Sequence, residues 1–355
     1  MTYPRLNVAL QPIRDNMSVI LHTCRQWNIE PVAVTKVYRA HPDIVKMLLE
    51  LGYTKLGDSR VDNLKKLAGL NVEKLLIRIP MPSEVAELVK WATSSLISSI
   101  YTAKLIDQEA KLQKKKIKLT LMYDIGDLRE GVYGLENLYK VAKEIDELKN
   151  VELYGIGTNM SCMSGILPTE ENITEFLKAK KNVEEYLGRK LAVASAGNTD
   201  VFAFLLRNKM MEGINELRIG EGMIMGTDGA EGVIEILHQD AVTLEAQIVE
   251  IYDKPSQPTG IASINPFGEK VEQRDDRGMR KRAIVALGRQ DVHFMHLIPY
   301  DENIVLIGQS SDHTVLDVAD CIEQYIEGDV LKFHVKYGAI LSGFTSDYVY
   351  KNMIH

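Results

Sequence analysis

Between residues 31 and 225, eight short β-rich runs alternate with longer segments of helical periodicity, and this alternation constrains the fold more than any other feature of the chain. A strand that must pass through a helix before the next strand returns to the same edge of the sheet, so successive strands pair in parallel. The runs are PVAVTKV (31–37), YTKLGD (53–58), KLLIRIP (74–80), SLISSI (95–100), KLTLMYDIG (118–126), VELYGIGTN (151–159), LAVASAG (191–197) and ELRIGEG (216–222). Between them lie stretches such as HPDIVKMLLELG and ENLYKVAKEIDELK, whose apolar residues recur every three or four positions and give each helix one face to lay on a sheet. The pattern predicts an α/β fold, a (β/α)8 TIM barrel, preceded by a helix over about 9–28.

After about residue 238 the grammar changes. VTLEAQIVEIYDKP, KRAIVALG, NIVLIGQSSDHTVLDVA and DVLKFHVKYG alternate or run apolar with no long helix between them, which predicts a C-terminal β-rich domain. The expected division is 1–235 for the barrel and 236–355 for the β domain. A chain of 355 residues is long enough for two cores.

Hydrophobic residues at 45% and charged residues at 26% describe an ordinary globular chain rather than a disordered or membrane-embedded one. The formal net charge of -7 argues against nucleic acid as a partner, because that affinity rests on a basic face meeting phosphates. The lysine-rich run 111–118 reads as a solvated helix end. Cys24, Cys162 and Cys321 are far apart with no CxxC pair, so neither a structural zinc nor any other metal is expected. With no apolar stretch of signal-peptide or membrane-spanning length, the expected location is the cytoplasm.

In a parallel barrel the interior is filled with side chains, so reactive groups gather where strands end and βα loops begin. Lys36 closes the first run, placed to turn its amine into the barrel mouth. A lysine there forms a Schiff base if its surroundings favour the neutral amine; the alternative is a solvated strand-end lysine. SAGNT (195–199) and RIGEG (218–222) are glycine-containing turns at helix starts after the seventh and eighth runs. Such turns present N–H groups and the positive end of a helix dipole, which together hold a phosphate. A reactive lysine facing a phosphate cradle meets the two requirements of pyridoxal 5'-phosphate.

The series AVTKVY, DIGDLREGV, GIGTN, NELRIGEGMIMG, GQSSDHTVLDV and KYGAIL resembles the fold-type III pyridoxal-phosphate enzymes, and in order and spacing the alanine racemase family across almost the whole chain. Through RGMRKRAIVALGRQDV (277–292) and SSDH (310–313) it looks closest to the ornithine racemases. The resemblance implies racemisation of an amino acid, ornithine or another basic one, by proton removal and return at Cα. Lys36 matches the lysine that bears the cofactor. Asn198, Thr199, Gly220 and Glu221 fall on the phosphate turns, Glu221 through its backbone, and Tyr337 matches a tyrosine reaching the same phosphate. Arg218 matches the arginine facing the pyridine nitrogen; a guanidinium can only donate, so the ring nitrogen stays unprotonated and the cofactor is a weaker electron sink. The related decarboxylases resemble this segment but carry an acidic residue there.

Arg129 matches the family arginine near the substrate carboxylate, where its fork suits a planar anion. Here the chain departs from the pattern twice. The lysine that many alanine racemases carbamylate to support this arginine is Met122, so another group, or none, supports Arg129. The partner-subunit tyrosine opposite the catalytic lysine has no counterpart among Gly260, Ile261 and Phe267, and Asn159 replaces a supporting histidine. A racemase needs an acid/base on each face of Cα. The candidates for the second are Asp291, His313 and Cys162, and the sequence does not choose among them.

GQSSDHTVLD is also similar to the ornithine-decarboxylase stretch in which a cysteine precedes an aspartate that contacts the distal ammonium. Ser311 takes the cysteine position and Asp312 keeps the aspartate. A substrate ammonium entering a desolvated pocket needs such a carboxylate; the bland reading is that Asp312 only orients its loop. The family implies a head-to-tail homodimer in which each active site is roofed by the partner's β domain. Three other activities remain open: alanine or broad-specificity racemisation, amino-acid decarboxylation, and non-catalytic carriage of pyridoxal phosphate.

Overall fold

A computed structural model describes residues 2–208, 211–229, 232–261, 263–270 and 275–355. The chain divides into two compact units, Leu10–Ala241 and a second formed by the N-terminal strand with Val242–His355.

In the first unit the parallel strands Glu30–Val34, Lys55–Asp58, Glu73–Leu76, Ser94–Ile97, Ile117–Asp124, Val151–Gly157, Val193–Ser195 and Glu216–Ile219 pair in chain order. The eighth strand returns to the first, with Arg218 opposite Val32, so the sheet closes into the expected barrel. Short strand Val132–Tyr133 is appended to the fifth. Strand interiors are apolar on both faces because one side meets the barrel lumen and the other the surrounding helices. Helix Leu135–Asp146 shows the helical logic: Leu138, Ala142 and Ile145, at four- and three-residue spacing, are buried, while its glutamates and lysines are solvated. Burying each large apolar side chain stabilises the unit by about 1.5–3 kcal/mol. Helix Glu170–Leu187 begins where the Thr169 hydroxyl accepts from the Asn172 N–H at 3.2 Å and stops at Gly188, whose φ of +69° a side chain would resist.

The lumen is layered. At the strand starts, Lys55 and Glu216 form an ion pair with both side chains buried, and Lys118 meets Glu73 at 2.9 Å. Above them Val32, Leu75, Leu96 and Met122 form an apolar plug with Ile77 and Ile79. The polar strand ends lie beyond this plug, on the C-terminal face.

The second unit is an antiparallel sheet in the order Leu297–Pro299, Val330–Val335, Val242–Pro255, Met279–Val285, Thr314–Asp317, Val305–Gln309. Strand Arg5–Ala9 joins it, antiparallel to Val242–Pro255 and parallel to Tyr350–Ile354. This corrects the expectation that the first residues belong to the barrel. Leu6 and Val8 are fully buried on alternate positions, and Arg5 pairs with Glu245 at 2.6 Å. Strand alternation over five residues, followed at Leu10 by a helix, fixes the change of unit. At the other junction the division falls between Ala241 and Val242, because Ile234 and Leu237 are still buried in the barrel unit.

Candidate active site

The first strand ends at Val34, and Thr35 leads into a single 3-10 turn, Lys36–Tyr38, that carries the half-buried Lys36. The Thr35 N–H still donates to the Gly57 carbonyl at 2.8 Å, so the lysine stands one residue beyond the last ladder bond of the barrel.

Arg218 comes up from the eighth strand. Its Nη2 donates to the Thr158 carbonyl at 2.6 Å, and its Nη1 to the Ser195 carbonyl at 3.3 Å and to the Ser195 hydroxyl. The guanidinium therefore bridges the sixth, seventh and eighth strand ends. Burial pulls its pKa below the ordinary arginine value, partly countered by the Glu216 carboxylate two residues earlier on the strand. Nothing among these partners can take a proton from it.

Two loops bring Arg129 beside this group. The Ser164 N–H donates to Asp127 Oδ1 at 3.0 Å and its hydroxyl to the Asp127 carbonyl at 2.7 Å, tying the loop after the fifth strand to the loop after the sixth. Glu130 accepts from Nε and Nη2 of Arg129. The Asn159 amide, oriented with its oxygen toward Arg129, accepts from Nη1 at 3.3 Å and from Nη2. Burial alone would lower the Arg129 pKa, but the Glu130 carboxylate outweighs it and holds the arginine above its ordinary value. Arg129 is thus supported by a neighbouring carboxylate and an amide. Met122 lies fully buried in the apolar plug, and a Cβ added at Gly157 would sit 2.8 Å from its sulfur.

The two glycine turns lock together. Gly197 has φ +125°, which frees Asn198 to cap helix Thr199–Arg207 by accepting from the Asp200 N–H at 3.1 Å. Asn198 Nδ2 donates to the Met160 carbonyl at 3.0 Å and reaches the Cys162 Sγ at 3.4 Å. The Thr199 hydroxyl accepts from the Gly222 N–H at 3.3 Å. At Gly220, which opens helix Glu221–Met225, a Cβ would sit 3.1 Å from the Val34 Cβ and crowd the strand that delivers Lys36. Burial, with Asp200 and Asp228 nearby, pushes the Glu221 carboxyl up to about 7 against the opposing pull of Thr227 and Lys36. Beyond the Asp200 and Gly222 N–H groups already bonded, the Met223 N–H donates to the Gly220 carbonyl at 3.2 Å, while the first N–H of each helix, at Thr199 and Glu221, has no intrahelical acceptor. A lysine amine, a buried donor-only guanidinium and two open helix starts around a glycine-lined cradle form a donor set that fits pyridoxal phosphate.

In the second unit the loops around Gly288 and Ser311 are in close contact, since a Cβ on Gly288 would collide with the Ser311 carbonyl. Asp291 is buried, accepts from the Gly288 N–H at 3.0 Å and is raised in pKa by that burial; its carboxylate holds a turn. Asp312 is exposed and accepts from Gln290 Nε2 and from the Ser311 hydroxyl, the latter at 2.9 Å. His313 is exposed, its N–H bonded to the Ser310 hydroxyl at 3.1 Å. Tyr337 opens helix Tyr337–Thr345 and is half-buried. The barrel unit therefore gathers Lys36, Arg129, Asn159, Cys162, Asn198, Thr199, Arg218, Gly220 and Glu221 on its strand ends. The second unit groups Asp291, Ser311, Asp312 and His313. Sequence reasoning passed over Glu130, although it adjoins Arg129, and Thr158 and Ser195. Two of the three bonds those last residues accept are to backbone carbonyls, which leave no mark on residue identity.

Residues 8–228 match the family described as alanine racemase, N-terminal domain. Over 353 residues the chain is 37% identical to an ornithine racemase of Acetoanaerobium sticklandii, covering 99% of this chain and 100% of that protein. It is 38% identical over 354 residues to a lysine racemase of Thermotoga maritima, covering 99% and 98%. Its fold superposes on the alanine racemase of Corynebacterium glutamicum with a TM-score of 0.73 over 100% of both chains at 16% identity. A D-threonine aldolase from Filomicrobium marinum has the same TM-score at 14% identity over 96% of this chain and 89% of its own, a likeness of fold alone. The chain belongs to the alanine racemase family and is a pyridoxal-phosphate-dependent amino-acid racemase.

Proposed function

We propose that this protein interconverts the L and D forms of a basic amino acid, ornithine foremost, with lysine the nearest alternative. The observation that carries the reading is the donor-only Arg218, buried and bonded to Thr158 and Ser195 on the same barrel face as Lys36. Full-length similarity to an ornithine racemase and a lysine racemase supports a substrate with a side-chain ammonium.

Pyridoxal phosphate, when bound, supplies an electron sink that acidifies the substrate Cα–H. In our reading Lys36 holds that group through its amine and then moves the proton at Cα on one face. Asn198, Thr199, Gly220 and Glu221 would hold the phosphate through their backbone N–H groups and the Thr199 hydroxyl. Arg218, able only to donate, would leave the ring nitrogen unprotonated, which would restrain charge delocalisation and favour proton return over other bond cleavage. Arg129, stiffened by Glu130 and Asn159, holds the substrate carboxylate with its fork. We assign the proton on the second face to Cys162, the one candidate of the three that lies in the barrel unit, where Asn198 Nδ2 reaches its Sγ at 3.4 Å.

We further propose a head-to-tail homodimer in the cytoplasm, with Asp312 of the second copy meeting the substrate's terminal ammonium and Ser311 steadying that carboxylate. Incubating the purified yellow protein with a panel of L-amino acids in heavy water, followed by chiral analysis, tests the whole. The expected result is deuterium in both enantiomers of ornithine. Carbon dioxide release without inversion would indicate a decarboxylase, and no turnover of any amino acid a carrier.

A further inference from the structure

The turn that carries Lys36 ends in an unusual backbone. Arg39 and Ala40 follow it with φ of +52° and +51°, two successive non-glycine residues in the left-handed region. Side chains disfavour that region because Cβ crowds the following carbonyl, so such a pair persists only where the surroundings over-determine it. Within the turn, the Arg39 N–H donates to the Lys36 carbonyl at 3.2 Å and the Ala40 N–H to the Thr35 carbonyl at 3.1 Å.

A chain of side-chain hydrogen bonds brackets both ends of this turn. The Thr35 hydroxyl donates to Asp58 Oδ2 at 2.6 Å. The other oxygen, Asp58 Oδ1, accepts from Asn63 Nδ2 at 3.1 Å and from the Arg60 N–H at 2.9 Å. Asn63 Oδ1 accepts from Lys66 Nζ at 3.0 Å, and the same ammonium donates to the Arg39 carbonyl at 2.8 Å. The path runs Thr35, Asp58, Asn63, Lys66 and back to the main chain at Arg39, with Lys36 inside the loop it closes. Thr35 and Asp58 are fully buried and Asn63 nearly so, while Lys66 closes the ring from the surface. Asp58 ends the second barrel strand, and Asn63 and Lys66 lie on helix Val61–Lys66 that follows it.

We infer that Thr35, Asp58, Asn63 and Lys66 are positioning residues that hold the strained turn and thereby pre-set the amine of Lys36 for bond formation with the cofactor aldehyde. A lysine has four rotatable bonds, so its reach is controlled by where its backbone is fixed; a shift of about 1 Å at such a group costs up to a hundredfold in rate. The carboxylate at Asp58 is the hub because its two oxygens serve the barrel strand on one side and the helix on the other. The inference rests on the reading of Lys36 as the cofactor-bearing lysine.

The test separates the two ideas. Lys66→Met keeps the aliphatic stem and removes the surface closure of the ring, and Thr35→Val removes the hydroxyl without changing shape. In the cofactor-free protein, amide hydrogen exchange over residues 36–40 is expected to quicken in both variants while the remaining barrel amides stay as in the parent. On mixing with pyridoxal phosphate, growth of the visible absorbance band is expected to slow roughly tenfold. The double variant is expected to be no slower than the slower single one, because both changes open the same ring. Parent-like exchange and band growth in a folded Lys66→Met protein, or losses that add in the double variant, would overturn the inference. In the Lys36→Ala protein the band should not form; if it forms there, the lysine assignment fails while the exchange result still judges the ring.

Discussion

Arg218 on the eighth barrel strand donates to the carbonyl of Thr158, at the end of the sixth, at 2.6 Å. With the two bonds from its Nη1 to Ser195, that bond holds the guanidinium across the strand between them and fixes its plane before any cofactor arrives. Replacing Arg218 with lysine keeps the charge but loses the fork, and it leaves the Ser195 and Thr158 acceptors only partly satisfied. Racemisation is expected to fall about a hundredfold in kcat, measured by polarimetry. Unfolding stability should drop by about 1–3 kcal/mol in urea titrations.

The second-face assignment is tested at Cys162. Serine there retains size but is a far weaker acid and base at neutral pH. Solvent deuterium exchange at Cα is expected to continue from one enantiomer of ornithine, through Lys36, and to stop from the other. Symmetric loss or symmetric retention of exchange in Cys162→Ser removes the assignment.

Substrate choice is tested at Asp312. If its carboxylate meets the terminal ammonium, Asp312→Asn should lower the ratio of kcat/KM for ornithine over alanine by at least about tenfold, since an ammonium desolvated without a counter-charge is costly. An unchanged ratio would leave Asp312 only its loop-orienting bonds to Gln290 and Ser311.

Glu221 provides a pH signature. Its folded carboxyl sits at about 7, above its ordinary 4.5, chiefly through burial. A group raised on folding contributes stability that is complete below the unfolded value and is lost as pH rises through the folded one, here between about 4.5 and 7. Glu221→Gln abolishes that loss, so the cofactor-free variant should differ from the parent by a constant amount below about pH 4 and gain on it with rising pH, by up to about 3 kcal/mol at pH 8. Thermal melts of both proteins across this range check the slope.

At the opposite mouth of the barrel, Lys55 and Glu216 are both buried and paired, and Glu216 Oε1 has no hydrogen-bond partner. Removing Glu216 leaves the buried Lys55 ammonium only the more distant Glu73 carboxylate, at 3.9 Å. Glu216→Leu is expected to cost about 3–5 kcal/mol in denaturant titration, whereas the double change Lys55→Met with Glu216→Leu should recover most of it.

The local sequence by itself determined the elements of this protein. Period-two and period-3.6 patterning is written in consecutive residues, so all eight barrel strands, the glycine turns at Gly197 and Gly220 and the placing of Lys36 at a strand end were legible within short windows. The role expected of Arg218 came from the resemblance of NELRIGEGMIMG to the alanine racemase family. Tertiary structure decided what meets across distance. Only the folded chain shows that Arg5 pairs with Glu245, that Asn159 with Glu130 supports Arg129 in place of a lysine, and that Lys66 reaches back to Arg39. The physical reason is that most of these contacts join segments far apart in the chain, and the one from Lys66 ends on a backbone carbonyl, which every residue carries alike. Their pairing is set by packing and closure of the barrel, and no local pattern encodes it.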